Sequence, residues 1–127
     1  MMFGAVNLLC EATRPIVVGN ANKKQQFISA VIDTGFNGYL TLPSEIITAL
    51  ELPWNCTDIV TLGDGSETLF DLYSATVIWD GQFREIDIAE SETEPLIGMS
   101  LLHGYRLLID VIQSGTVTIE SLLNAHK

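Results

Sequence analysis

Polar turn signals, three of the four bearing glycine, interrupt this chain at short intervals, and that punctuation most restricts its fold. Asn20-Ala21-Asn22, Gly63-Asp64-Gly65, Trp79-Asp80-Gly81-Gln82 and Gln113-Ser114-Gly115 each separate runs rich in β-branched and apolar residues. Such runs, joined by such turns, read as strands of hairpins. The segments are 13–19 and 27–32, then 39–42, 59–62, 69–78, 83–89, 105–112 and 116–119. Asp80-Gly81 is a strong hairpin signal, because both residue types tolerate the positive φ of a two-residue turn. Two short helices interrupt the strands. Pro43 and Glu45 suit a first helical turn, Ile46, Ile47 and Leu50 give it one apolar face, and Pro53 bars its continuation. Residues 100–103 form a single helical turn capped at His103 and stopped at Gly104. The sum is about eight or nine strands and two small helices, an all-β sandwich or barrel. There is one faint internal echo: 27–35 and 83–98 both run from an apolar strand to a glycine loop followed by a helix.

A chain of 127 residues makes one domain, 1–127, with 121–127 expected as a frayed tail. It has 6 Lys and Arg against 16 Asp and Glu, a net charge of −10. That field repels phosphate, so neither nucleic acid nor an anionic membrane surface is an expected partner. The apolar share of 47% supports a buried core rather than disorder, and no apolar run approaches the roughly 18 residues of a membrane span. Residues 1–10 are mildly apolar but lack a basic stretch, and Glu11 ends them, so no targeting signal is expected. Cys10 and Cys56 allow one bridge, although two free thiols in a reducing cytosol is the better reading, and the expected location is cytoplasmic.

The chemistry concentrates where an apolar strand, Ala30-Val31-Ile32, runs into Asp33-Thr34-Gly35. Strand alternation puts Val31 and Asp33 on one face and Ile32 on the other. A carboxylate ending a buried strand needs a hydrogen-bond partner. Thr34 offers a hydroxyl, and Gly35 leaves room for another backbone or a ligand to approach Asp33. A bare tripeptide of this kind is more often a turn cap than a site. Elsewhere, His103 and His126 lie in no nucleophile motif, and two Cys and two His are scattered without ligand spacing, so no metal is expected. Glu90, Glu92 and Glu94 read as a solvated acidic loop, and Trp54 and Trp79 as partly buried aromatics.

Context raises the weight of Asp33. Downstream lie Pro95-Leu96-Ile97-Gly98, then Leu101-Leu102 and another strand. Together with Asp33-Thr34-Gly35 and the Gly63-Asp64-Gly65 hairpin, this order resembles the retropepsin-like aspartic peptidases, single-domain relatives of pepsin that include the retroviral proteases. The likeness runs from about residue 13 to residue 119, and the wording from Asp33 to Pro43 is most similar to soluble bacterial members, cyanobacterial ones in particular. The resemblance implies a closed, barrel-like acid-protease fold with a flap hairpin. It implies a homodimer in which each subunit gives one Asp33 to a shared dyad acting on peptide or protein substrates, with no cofactor. Thr34 would brace the two active-site loops and Gly35 would admit substrate backbone. Gly63, Asp64 and Gly65 would form the tip of the flap over the substrate, and Val31, Phe36, Leu62 and Leu96 would also contact substrate.

Two departures near Asp33 accompany the likeness, beside a flap tip that Asp64 and Ser66 make more polar than the Gly- and Ile-rich retroviral one. Phe36 stands where retroviral members carry Ala or Ser, so its ring would either shrink a pocket or turn into the core. Asn37 and Met99 stand where those members pair an Asp with an Arg, which removes an ion pair that supports their dimer. A catalytically silent dimerisation or peptide-binding module of the same fold is the alternative reading. A monomeric β-barrel ligand binder, with Asp33 as a turn cap, is a third.

Overall fold

The Asp80-Gly81 turn forms as its sequence dictates. In the computed structural model, which describes residues 1–61 and 63–123, Asp80 and Gly81 take φ of 53° and 76°, and Trp79 pairs with Gln82 across them. At the other early turn, Asn20 Oδ1 accepts the amides of Asn22 and Lys24 at 2.8 and 3.1 Å, closing a second hairpin.

Ten strands and two helices occupy the described residues: β1 (Met2–Val6), β2 (Ala12–Gly19), β3 (Gln25–Ile32), β4 (Leu40–Leu42), α1 (Ser44–Ala49), β5 (Trp54–Thr61), β6 (Glu67–Trp79), β7 (Gln82–Glu90), β8 (Leu96–Ile97), α2 (Met99–Leu102), β9 (Tyr105–Ile109) and β10 (Thr116–Ser121). The fold is therefore all-β. The strands form one sheet in the order β5-β6-β7-β4-β8-β3-β2-β1-β10-β9, with an additional β6–β2 pairing. The 13-residue β6 makes that pairing possible, since its first half takes β5 while its second half takes β7 and β2.

Alternation places the core. Ile16 and Val18, Ile28 and Ala30, Ala75, Val77 and Trp79, and Ile86 and Ile88 are buried at every second position of their strands. Leu40, Ile97, Leu101 and Ile119 complete the interior. Each such side chain contributes roughly 1.5–3 kcal/mol of burial. The internal echo has a structural counterpart: β8 lies parallel to β3 and β4 lies parallel to β7, and each short inserted strand is followed by a helix.

Three expectations change. Residues 2–6, read from sequence only as mildly apolar, are a strand between β10 and β2. Gly4 hides it: a Cβ there would lie 2.0 Å from the Thr13 carbonyl oxygen, so close backbone approach replaces the side chain that would have signalled a strand. The strand expected over 105–112 stops at Ile109, because Asp110 O accepts the Ile112 amide at 2.8 Å and turns the chain early. The acidic loop is also more than solvated surface. Glu92 Oε1 accepts the Ser44 amide at 3.1 Å and so caps α1, which has Pro43 where a capping side chain would sit. Hydrogen bonding from Ser44, its side chain first and its amide second, holds the Glu92 carboxyl below its ordinary value. Glu90 in turn accepts the Tyr73 hydroxyl at 3.0 Å. Cys10 and Cys56 are free thiols. No helix among the described residues is long and apolar enough to cross a membrane. Of the expected tail, 124–127, which includes His126, lies outside the described residues, as does Leu62, expected to contact substrate.

Candidate active site

Asp33 leaves the end of β3 where β8 is wedged between β3 and β4. Val31 pairs with Leu96 and Ile32 with Ile97 in the parallel ladder, and Ile97 also faces Leu40 across the antiparallel one. The ladder continues one step past the strand, with the Asp33 amide donating to Ile97 O at 2.9 Å. Loop 33–39 must therefore cross over the end of β8.

That crossing is heavily braced. The amides of Gly98, Met99 and Ser100 donate to the carbonyls of Tyr39, Phe36 and Gly38 at 2.9, 2.8 and 3.1 Å. Ser100 Oγ donates to Asn37 O at 2.5 Å. Packing is so close that a Cβ on Gly98 would sit 2.2 Å from Gly38 O, which explains a glycine after Leu96-Ile97. Within the loop, Asp33 Oδ1 accepts the Gly35 amide at 2.9 Å, which aims the carboxylate along its own turn. Asp33 is half-buried, while Thr34 and Gly35 are exposed. The Thr34 side chain borders the larger of two neighbouring cavities, about 640 Å³, which also touches Tyr39, Arg84, Met99 and Tyr105.

Phe36 resolves its own alternative. It is 1% exposed and packs on Leu72 and Ala89, so the ring turns into a small satellite core. Its inner edge still forms the floor of the second cavity. Val31 and Leu96, expected as pocket lining, are half-buried partners across the β3–β8 ladder, and Leu96 leans on the Phe36 cluster.

Above the loop stands the β5–β6 hairpin. At its tip Asp64 Oδ1 accepts both the amide and the hydroxyl of Ser66, at 2.9 and 2.6 Å. Those bonds, the hydroxyl first, hold the Asp64 carboxyl below its ordinary value. The tip rests on the Asp33 loop of its own chain. A Cβ on Gly35 would meet Gly63 Cα at 2.6 Å, and one on Gly63 would meet Asp33 Oδ2 at 3.1 Å. Gly35 does admit a close backbone, and here that backbone is Gly63. Asn37 fastens the contact: its Oδ1 accepts the Thr61 amide at 3.2 Å and its Nδ2 donates to Thr61 Oγ1 at 3.4 Å. The hairpin thus meets Asp33, Gly35 and Asn37 at one place, with Thr34 on the far flank.

Sequence reading missed the Asn37 tie, for which a pairing between residues 24 apart gives no local signal. It also missed Asp58 and Asp87, which border the cavity beside Phe36 from β5 and β7. Among the described residues no three His, Cys, Asp or Glu side chains converge as a metal ion would require. No protein-family model matches this chain, and no curated protein matches it.

Proposed function

We propose that this chain is a homodimeric aspartic endopeptidase of retropepsin-like architecture. The single observation that carries the reading is the seating of Asp33. A carboxylate at the end of an apolar strand is fixed by Ile97 O through its amide and by the Gly35 amide through Oδ1, beneath a glycine-tipped hairpin. The succession of pairings β6-β7-β4-β8-β3-β2, returned to β6 by the β6–β2 ladder, supports a barrel-like acid-protease fold. The two free thiols support a reducing, cytoplasmic setting.

One chain holds one such carboxylate, so the chemistry needs a second copy. Two Asp33 side chains facing across a two-fold axis cannot both ionise, aspartic proteases being the standing example of such a pair. With one proton shared, the charged member takes a proton from a bound water as general base. The protonated member hydrogen-bonds the scissile carbonyl oxygen. Water adds to the carbonyl carbon, and collapse of the tetrahedral intermediate passes a proton to the leaving nitrogen and restores the dyad. Thr34, exposed beside the larger cavity, braces one loop against the other. Gly63 fills the approach to Gly35, so the hairpin lifts to admit peptide and closes over it to exclude water.

Activity is expected below neutral pH, where the dyad keeps its shared proton and the mutual repulsion of two chains of net charge −10 is relieved. Cleavage of a mixed peptide library by the wild type, lost in a folded, dimeric Asp33→Asn variant, is the expected result. A rate that keeps rising past about pH 8 contradicts a shared-proton dyad. One observation favours the silent-module alternative: the contact between Gly63 and Gly35 occupies the space that substrate backbone must take. A dimer that cuts no peptide at any pH would select it.

A further inference from the structure

Between the Asp33 loop and strand β5 lies a cavity of about 210 Å³, room for one long side chain rather than for a whole ligand. Its floor is apolar, made by Phe36, Leu72 and Ala89. Its rim carries two carboxylates from different strands, the exposed Asp58 of β5 and the half-buried Asp87 of β7. Asp58 Oδ1 accepts the Ile59 amide at 2.7 Å and Asp87 Oδ1 accepts Asn55 Nδ2 at 3.3 Å, so local bonds fix both groups through one oxygen. Among the described residues neither carboxylate forms an ion pair.

An apolar sleeve ending in negative charge has a specific complement. Lys and Arg lay a hydrocarbon stem along apolar surface and keep a cationic head at the polar end. The Tyr39 ring on the cavity wall is already faced by Arg84, whose Cζ lies 5.5 Å from the ring centroid, so the two carboxylates supply the recognition. The position matters equally. Asn37 and Gly38 border the cavity and lie on the same loop as Asp33, while Asp58 and Ile59 precede Thr61, which Asn37 binds. A peptide laid over Asp33 beneath the hairpin therefore brings a side chain near the scissile bond to this opening.

We infer that the cavity is a specificity subsite for a Lys or Arg side chain of the substrate, with Asp58 and Asp87 as its recognising groups. The inference rests on the peptidase reading and adds to it: the homodimer presents the cavity once per subunit and selects peptides with a basic residue at two positions, one on each side of an otherwise apolar cleavage site.

The test has two arms, both on the full chain. In the first, wild type cleaves paired peptides that differ only by Lys or norleucine at each position in turn. The expected result is about a tenfold preference in kcat/KM for Lys at one position on each side of the scissile bond, weakening with added salt. Asp58→Asn with Asp87→Asn should bring that ratio close to one, and Asp58→Lys should move it toward Glu. Cleavage with no basic preference, or a preference that survives the double variant, overturns the subsite and leaves the peptidase standing. The second arm follows binding of the same Lys and norleucine peptides to the Asp33→Asn chain by NMR. Tighter binding of the Lys peptide, lost in the triple variant, supports the subsite even if the wild type cuts nothing, in which case the peptidase reading alone falls. Equal binding of the two peptides by a chain whose wild type is inactive overturns both.

Discussion

The two loops that meet at Asp33 are held in opposite ways. Loop 33–39 is tied to β8 and α2 by backbone bonds from Gly98, Met99 and Ser100 and by the Ser100 hydroxyl. It buries a phenylalanine, and it leaves no space for a Cβ at Gly98. The tip of the β5–β6 hairpin touches the same loop through two bonds from one side chain, Asn37, and through glycine backbone. It carries the exposed Asp64, and none of its described residues from Gly63 to Ser66 is buried. The first arrangement fixes a carboxylate in place, and the second allows contact that can be broken. A site that must hold its reacting group still while admitting a long substrate needs both.

Substitutions can break this contrast in graded steps. Gly98→Ala should have the largest effect, because its methyl must displace the Gly38 backbone and the Phe36 ring. A loss of about 3 kcal/mol in denaturant unfolding is expected, and a change under about 1 kcal/mol would mean the brace is slack. Ser100→Ala removes only the hydroxyl bond to Asn37 O and should cost about 1 kcal/mol by the same measurement. Asn37→Ala should barely alter global stability, yet amide exchange at Thr61 should quicken about tenfold as the hairpin is released. Unchanged exchange there would mean that glycine packing alone seats the tip.

The smallest effect concerns pH. Asp64 has its folded-state carboxyl lowered by Ser66, so its contribution to tip order is present above the ordinary carboxylate value and lost as pH falls through the lowered one. Ser66 amide protection, corrected for intrinsic exchange, should therefore decline in that acidic window in the wild type and be insensitive to it in Asp64→Asn.

What could be read in advance follows the same division. The Asp80-Gly81 turn, the β2–β3 hairpin, α1 and the Gly104 stop rest on residues whose backbone preferences act locally, and they form where expected. Asp33-Thr34-Gly35 was legible as a strand-end acid for the same reason. The brace beneath it was legible only as a motif order, since β8 has two residues and no periodicity. Asn37 reaches Thr61 from a loop, and pairing of β5 and β7 with β6 sets Asp58 and Asp87 around one cavity; register is a property of paired strands rather than of either sequence. The two tryptophans make the point in one residue type. Both were expected partly buried, yet Trp79 is 3% exposed in the core and Trp54 is 60% exposed, because β5 ends the sheet and β6 lies inside it.

In the proposed peptidase two chains build one site, each giving a single Asp33. Mixing tests it most directly. Wild type is combined with a ninefold excess of Asp33→Asn, the dimers are allowed to exchange, and peptide cleavage is measured per wild-type chain. If each site needs both carboxylates, most wild-type chains are trapped in dead heterodimers and the rate falls about tenfold by mass action. A rate per wild-type chain that ignores the variant, with subunit exchange verified, would contradict the account.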